Sequence, residues 1–401
     1  MRMIVEQLPG LPLAQRPMEI VERKGKGHPD TICDAVAEAI CVALSAVYLE
    51  ELGAVLHHNI DKALLVAGRV NKWFGGGELL QPMELIIGDR ATTEAEGKKI
   101  PVDDIAVDAA RRWLRENLRF VDPERDIDFR VVLAPGSAEL TDIFSRSGGV
   151  SGANDTSAAV GYYPLSPTEM TVLKLEHWLN STTFKEAYPE TGEDVKVMGY
   201  RRGSDLELMV AMPLLARLID SEADYFARKE QIIKEITEFS HGLARFEKTE
   251  VELNALDVKG RGLGGVYLSL LGTSAEEADS GQVGRGNRVN GLIAVARPIG
   301  TEAVAGKNPV SHVGKIYNVL AHRAARSIYE KIEGVQEVYV FLGSRIGSPI
   351  DRPSLAAIQL VSHPQIALAH IAPRAEEILG EELASIGQLC RDLARGKITI
   401  C

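Results

Sequence analysis

The stretch Gly27-His28-Pro29-Asp30 stands where a loop turns into a helix. Proline suits the first helical turn because its ring fixes φ and its missing N–H has no partner to lose there. Apolar residues then recur at helical spacing, at Ile32, Val36, Ala39, Ala43 and Val47. The pattern predicts His28 and Asp30 at a helix N-terminus, where free N–H groups and the helix dipole favour anions. A plain helix start would give the same short pattern, so the motif alone leaves both interpretations open.

Two later segments also suit phosphate. Asp279 to Arg288 (DSGQVGRGNR) combines a carboxylate, three glycines and two arginines. Gly306-Lys307-Asn308-Pro309 predicts a second loop-to-helix junction, with Asn308 as N-cap and Pro309 as first helical residue. Glycine lets backbone N–H groups approach an oxyanion, and Arg and Lys bind phosphate oxygens. These distant segments form one polyphosphate site only if the fold or a partner subunit brings them together.

The composition is that of a globular protein. The chain has 401 residues, of which 45% are hydrophobic and 25% charged. Its net charge of −11 argues against a nucleic-acid surface, which needs a basic face, but it leaves room for a local cationic site. No run of about 18 uncharged apolar residues predicts a membrane span. We expect neither nucleic acid nor membrane as a partner.

The cysteines and the N-terminus indicate the compartment. No basic region followed by an apolar run marks a signal peptide. The cysteines have no zinc-type spacing and do not read as a disulfide framework; they are Cys33, Cys41, Cys390 and Cys401. We therefore expect a cytoplasmic protein.

A hairpin, a helix and a strand follow one another about three times along the chain, which predicts an α+β fold of three similar sheet-and-helix domains. The expected domains are 1–160, with the first motif, 161–260 in the middle, and 261–401, with the other two motifs. We expect segments to cross between these domains.

A polar connection follows the strand that ends near residue 133. It begins with Gly136-Ser137-Ala138-Glu139-Leu140 and Thr141 and continues into a segment rich in Ser and Gly that closes with Gly152-Ala153-Asn154-Asp155. Long loops in compact domains are often active-site lids, and a plain surface excursion is the alternative.

Through these segments, the chain resembles the S-adenosylmethionine synthetases (methionine adenosyltransferases), in particular their archaeal-type branch. The resemblance covers most of the chain. The segments on which it rests are Glu22 to Asp30, Gly136 to Leu140, Gly152 to Asp155, Asp279 to Arg285 and Gly306 to Pro309. It implies that methionine sulfur attacks C5′ of ATP and that the released triphosphate is cleaved to phosphate and pyrophosphate. It also implies Mg²⁺, K⁺, a pseudo-threefold axis and a homodimer with active sites between subunits.

The resemblance also implies roles for individual residues. His28, Arg285 and Lys307 would be catalytic: His28 would stabilise the departing O5′ and the two cations would hold the polyphosphate. Asp30 and Asp279 would hold Mg²⁺, and Asp155 would bind the methionine ammonium. Glu22 matches a carboxylate near the nucleotide, and the loop Gly136 to Thr141 would be the gate over ATP. Asp61 is our candidate for the K⁺ carboxylate.

The chain departs from the bacterial and eukaryotic pattern at three positions. Gly286, Ser311 and Val313 stand where that branch has two lysines and an aspartate. Our hypothesis is that other nearby cations replace the lost positive charge and contact ATP phosphates: Arg288, His312 and Lys315.

Two other functions use the same residues. A Mg²⁺-dependent phosphotransferase or ATPase would direct the cations at the γ-phosphate and release ADP. A nucleotide-sensing protein would bind ATP without catalysis. Release of phosphate and pyrophosphate that depends on methionine distinguishes S-adenosylmethionine synthesis from both alternatives.

Overall fold

The computed structural model describes residues 3–136, 151–244 and 246–400. Within these ranges the α-helices are α1 (Pro29–Leu52), α2 (Val102–Asn117), α3 (Pro167–Leu179), α4 (Thr182–Ala187), α5 (Glu222–Leu243), α6 (Val313–Lys331), α7 (Leu368–Ala384) and α8 (Ile386–Ala394).

The strands are β1 (Ile4–Gln7), β2 (Met18–Lys24), β3 (His58–Val66), β4 (Arg69–Trp73), β5 (Gly76–Gln81), β6 (Met83–Ala91), β7 (Glu94–Ala95), β8 (Lys98–Lys99), β9 (Ile127–Ala134), β10 (Ala158–Tyr163), β11 (Lys196–Arg202), β12 (Asp205–Ala211), β13 (Leu214–Leu215), β14 (Lys248–Leu253), β15 (Leu268–Ser269), β16 (Gly281–Gln282), β17 (Ile293–Ala294), β18 (Val335–Gly343) and β19 (Leu355–Ser362).

Three sheets repeat one topology. Their strand orders are β16-β3-β6-β9, β14-β12-β11-β2-β17 and β1-β19-β18-β10. Each contains an antiparallel pair, namely β3–β6, β11–β12 or β18–β19. In the first two sheets a helix then crosses to a strand parallel to the second of the pair, as in β6-α2-β9 and β12-α5-β14. The predicted α+β fold of three similar sheet-and-helix units is confirmed, and the repeat is consistent with a pseudo-threefold arrangement.

The units are not contiguous in sequence. In the third sheet the parallel strand beside β19 is β1, from the N-terminus. Strand β2 pairs with β11 and β17, and β10 pairs with β18, so residues 1–160 contribute to all three sheets. The predicted divisions at 160 and 260 therefore cut across the sheets, because strand pairing over long sequence separations cannot be read from local composition.

Helix α1 is the central element for the site. It packs on β3 and α2, and its buried apolar face includes Ile32, Val36, Ile40 and Leu44. By length and composition α1 could cross a membrane, but most of it is buried in the core of the first unit. It ends at Gly53, whose φ of 72° suits a left-handed C-cap.

Helix α6 starts later than the sequence predicted. Asn308 is not an N-cap: its Oδ1 accepts hydrogen bonds from Val310 N at 3.1 Å and Ser311 Oγ at 3.2 Å, which closes a turn. His312 is the N-cap instead, and its Nδ1 accepts from Gly314 N at 3.2 Å. The Gly-Lys-Asn-Pro motif is thus a loop one turn ahead of the helix.

Candidate active site

His28 caps the N-terminus of α1, as the sequence predicted. Its Nδ1 accepts a hydrogen bond from Asp30 N at 3.2 Å, and Pro29 is the first helical residue. Burial and the charge of Lys24 lower the pKa of His28 to about 4, against an opposing effect of Asp30, and Lys196 lowers it further. At neutral pH the ring is therefore uncharged. Because Nδ1 is an acceptor, the proton of this tautomer lies on Nε2.

The first and second motifs are in contact. Gln282 N donates to Asp30 Oδ1 at 2.9 Å. Lys24 Nζ donates to Asp30 Oδ2 and to the carbonyl oxygen of Arg285, each at 2.8 Å. Asn287 holds the Lys24 backbone from both sides, accepting from its N at 3.0 Å and donating to its carbonyl at 2.7 Å. Lys24 therefore links the two motifs.

Glycine is required where the second motif touches α1. A Cβ at Gly281 would overlap the carbonyl oxygen of Pro29, and a Cβ at Gly286 would overlap Asp34 Oδ2. Gly284 has φ +86°, which side-chain-bearing residues rarely adopt. The glycines of this motif therefore permit close packing of the loop against the helix.

The charged side chains of the second motif differ in exposure. Asp279 and Arg285 are exposed, and neither side chain has a hydrogen-bond or ion-pair partner within the described ranges. Arg288 is half-buried, and its Nη2 donates to the carbonyls of Gly284 and Gly286 at 2.7 and 2.9 Å. Arg285 is thus available to a ligand, whereas Arg288 supports the loop from within.

Strand pairing adds a cation that the sequence analysis missed. In the antiparallel register of β2 and β11, Lys196 lies opposite Lys24 and Met198 opposite Glu22. Lys196 Nζ is 3.2 Å from Glu22 Oε1. Lys196 also acts on the pKa of His28, so it lies in the same electrostatic environment. No local signal in the sequence marks this lysine, because its position depends on the strand register.

The third motif forms a second charged group. Lys307 is buried, and its Nζ lies 2.6 Å from Asp61 Oδ2 and 3.1 Å from Glu302 Oε2. Asp61 Oδ1 accepts from Asn59 Nδ2 at 2.7 Å and Lys62 Nζ at 2.6 Å. Although burial opposes it, the charge of Lys307 and these bonds hold the pKa of Asp61 below its usual range.

A second carboxylate borders this group. Asp89 Oδ2 accepts from Asn59 Nδ2 at 3.0 Å, and burial together with the neighbouring Asp61 raises the pKa of Asp89. The backbone of Asp89 has φ 104°, a strained value for a residue with a side chain. Asp89 lies opposite a bulge in β3, and the sequence gives no sign of this bulge because it depends on how β3 and β6 pair.

The segment Gly152 to Asp155 lies beside the Lys307 group. Asn154 N donates to Ser311 O at 3.1 Å, and Ser157 Oγ donates to Glu302 Oε1 at 2.9 Å. Glu302 therefore connects Lys307 with the segment that carries Asp155. The segment that carries Asp155 therefore packs beside the Lys307 group.

Two of the three predicted replacement cations are buried, and one of them is neutral near pH 7. Lys315 is fully buried, and its Nζ donates to Glu38 Oε2 at 2.6 Å and to Cys41 Sγ at 3.4 Å. His312 is buried, and burial and the charge of Lys307 lower its pKa to about 3, so it is neutral near pH 7. The sequence spacing was compatible with cations here, but spacing does not reveal burial.

The predicted gate begins at the end of β9. A Cβ at Gly136 would overlap the ring of His57, so the start of this loop packs against the residue before β3. The remaining gate residues, Ser137 to Thr141, lie outside the described residues.

The two charged groups share α1 and β3. One group surrounds His28 and Asp30 at the start of α1, and the other lies beside Glu38, eight residues further along, which is about 12 Å on a helix. On β3, Asp61 belongs to one group, while Leu65 pairs with Gly281 of the other. Each group has a cation that faces an acidic partner. Among the described residues no cluster of three or more His, Cys, Asp or Glu side chains forms a metal cage.

A helix start, a glycine loop and cations of this kind are typical of proteins that bind a polyphosphate. The family model for S-adenosylmethionine synthetase matches residues 1–397, and the chain belongs to this family. It makes S-adenosylmethionine and is an adenosyltransferase, whose substrates in this family are ATP and methionine.

Relatives cover nearly the whole chain. The S-adenosylmethionine synthase of Hyperthermus butylicus is 45% identical over 409 residues, covering 99% of this chain and 98% of its own. That of Caldivirga maquilingensis is 43% identical over 395 residues, with coverages of 97% and 96%. An S-adenosylmethionine synthetase structure from Campylobacter jejuni, described as unusual, aligns with TM-score 0.63 at 15% identity, covering 95% of this chain and 94% of its own. The structural match supports the shared fold.

Proposed function

We propose that the chain joins methionine sulfur to C5′ of ATP and then cleaves the released triphosphate to phosphate and pyrophosphate, with the residue roles given below. The observation that carries these roles is the contact between the His28 helix start and the glycine-arginine loop, made through Lys24.

The difficult step of this reaction is the departure of the leaving group, triphosphate. A thioether is neutral and needs no general base, whereas triphosphate departs with several negative charges. Positioning and electrostatic stabilisation then dominate catalysis. His28 would donate Nε2–H to O5′ as charge develops there. Because this donor is neutral, the resting enzyme does not have to hold a buried positive charge at position 28.

Four cations would bind the triphosphate, at positions 24, 196, 285 and 307. Arg285 offers an exposed fork, and Lys196 adds a partly exposed point charge. Lys307 would exchange part of its ion pairing for phosphate oxygen. For Arg288 and Lys315, the bonds described above favour supporting roles behind the ligand. Glu22 would contact the nucleotide and Asp155 the methionine ammonium.

Mg²⁺ and K⁺ fit carboxylates in the two groups. Mg²⁺ commonly binds through one or two carboxylates and substrate phosphates, and Asp30 and Asp279 offer such oxygens. Bound there, Mg²⁺ would neutralise phosphate charge. For K⁺ we propose Asp61, because Asn59 Oδ1 beside it is buried without a hydrogen-bond partner among the described residues.

We further propose a cytoplasmic homodimer in which each site combines the His28 group of one subunit with the Lys307 group of the other. The separation of the groups along α1 supports this. So does the outer face of the first sheet, where Leu64 and Val132 remain 39% and 54% exposed opposite the helices. A two-fold axis through this face would bring the His28 group of each subunit against the Lys307 group of the other, and so form two sites.

The test is incubation of the purified protein with ATP, methionine, Mg²⁺ and K⁺, followed by mass analysis. We expect S-adenosylmethionine with equal amounts of phosphate and pyrophosphate, and no phosphate products without methionine. ADP as the product would indicate a phosphotransferase or ATPase instead.

A further inference from the structure

Helix α1 presents three carboxylates on one side, at positions 30, 34 and 38. A spacing of four residues places side chains one above another along a helix. Asp30 takes part in the proposed site. The other two, Asp34 and Glu38, have no part in the substrate binding or the chemistry of the proposed function.

Asp34 is bonded to the loop of Arg285. Its Oδ1 accepts from Gly284 N at 2.7 Å and its Oδ2 from Gly286 N at 3.1 Å. These are the residues on either side of Arg285. The carboxylate is almost completely buried, so the two bonds are not shared with water. Both oxygens of one rigid group thus hold the main chain that carries the exposed cation.

Glu38 is bonded in the same way to the loop of Lys307. Its Oε2 accepts from Gly306 N at 3.0 Å, the residue before Lys307. The same oxygen accepts from Lys315 Nζ at 2.6 Å, which fixes the carboxylate from behind. Cys41, one turn along α1, donates from Sγ to Lys307 O at 3.2 Å. The backbone on both sides of the Lys307 side chain is therefore anchored to α1.

Glycine-rich loops need such anchors. Gly284, Gly286 and Gly306 give their loops wide conformational freedom, which costs entropy when a neighbouring cation must be held in place. A displacement of about 1 Å in a charged contact can reduce a rate by about two orders of magnitude. Acceptors on a rigid buried helix remove that freedom before substrate binds.

We propose that Asp34 and Glu38 are positioning residues that fix Arg285 and Lys307, respectively, in place for contact with a triphosphate. Neither carboxylate touches the substrate. The inference rests on the proposed function, since it assigns a purpose to the two cations named there. It adds that α1 anchors one phosphate contact in each of the two sites to which its subunit contributes.

The test is a pair of double-mutant cycles read as kcat/KM for S-adenosylmethionine formation. D34N keeps the shape of the side chain but loses one acceptor, since an amide nitrogen cannot accept from an N–H. We expect D34N to lower kcat/KM about tenfold, about twofold or less when R285A is already present, and again about tenfold with K307M. Both donors to Glu38 bond to Oε2, and a glutamine oxygen would still accept from them, so the matching variant is E38A. E38A should show the reverse pattern: coupled to K307M and independent of R285A.

Controls separate positioning from general loss of structure. E50Q makes the same chemical change at an exposed position of α1 and should leave kcat/KM unchanged. A carboxylate that only stabilises the fold would lower kcat/KM by the same factor in every background, and that result would overturn the proposal. So would a D34N enzyme with wild-type kcat/KM. If D34N does not fold, Asp34→Ser, which removes the charge and admits water, replaces it.

A binding measurement distinguishes this inference from the proposed function. The same variants are titrated with inorganic triphosphate and Mg²⁺ by calorimetry, which requires no turnover. If the wild-type protein forms no S-adenosylmethionine, the proposed function fails. The positioning proposal is then judged by triphosphate affinity alone: coupling of D34N with R285A supports it, and independent effects overturn it.

Discussion

The Nδ1 atom of His28 accepts a hydrogen bond from the backbone N–H of Asp30 at 3.2 Å. This hydrogen bond has two consequences. It caps α1, and it fixes the neutral tautomer in which Nε2 carries the proton. Because the pKa of His28 is lowered to about 4, the ring is neutral near pH 7 although it lies beside an aspartate.

The first prediction concerns H28N. Asparagine is a good N-cap, so the variant should keep α1 intact while losing the donor at the position of Nε2. We expect kcat to fall by about 10²- to 10³-fold, and KM for ATP to change by about threefold or less, since the bond to O5′ strengthens as charge develops. Steady-state kinetics at saturating methionine measure both. Equal losses in kcat and in ATP affinity would instead indicate a role in ground-state binding.

The second prediction concerns stability against pH. The pKa of His28 is about 4 in the folded protein and about 6.5 when unfolded, so between these values only the unfolded chain binds the proton. Stability therefore rises with pH across this window and falls as pH drops through it. Relative to H28N, the wild type should lose at most about 3 kcal/mol of unfolding free energy between about pH 7 and about pH 4. Urea unfolding of both proteins at each pH checks this, and a pH-independent difference would refute it.

The third prediction concerns Lys196, which strand pairing places beside Glu22. K196M should raise KM for ATP by about tenfold, because it removes a cation that faces the triphosphate. The matched control is K248M, at an exposed position of the same sheet where the lysine pairs with Glu250. Kinetics of the two variants should differ clearly. If K196M and K248M have the same KM for ATP, Lys196 lies outside the site.

The fourth prediction concerns the buried pair of Lys315 and Glu38. Removing the lysine leaves a carboxylate buried with one remaining donor, so K315M should lose about 3–5 kcal/mol of unfolding free energy. The double variant E38Q/K315M should recover part of that loss. K331M, at an exposed position of the same helix, should change stability by about 1 kcal/mol or less. A fully stable K315M that has lost ATP affinity would restore the earlier hypothesis of a direct phosphate contact.

Local chemistry explains what the sequence could predict. The start of α1 follows from Pro29 and from the capping ability of the residue before it, both of which act within a few residues. The glycines at 281 and 286 predicted an approach of the backbone to an oxyanion; in the structure they let the loop pack against the start of α1. The repeated hairpin, helix and strand pattern was likewise visible because each copy is local.

Long-range pairing explains what the sequence could not predict. Lys196 enters the site through the register of β2 with β11, more than 170 positions apart in the chain. Helix α6 starts at Val313 because the Asn308 side chain closes a separate turn first. Lys315 is buried because its side chain reaches Glu38 and Cys41 of α1, and helical spacing alone does not say which partner covers a given face.

The most direct test of the central claim mixes two inactive variants. If each site joins the His28 group of one subunit to the Lys307 group of the other, a heterodimer of H28N and K307M contains one site with both defects and one fully wild-type site. Random exchange of equal amounts should then restore about a quarter of wild-type S-adenosylmethionine formation, because about half of the dimers are mixed. Each variant alone, taken through the same exchange, should remain inactive. Absence of recovery, with mixed dimers demonstrated by native mass spectrometry, would contradict the shared site.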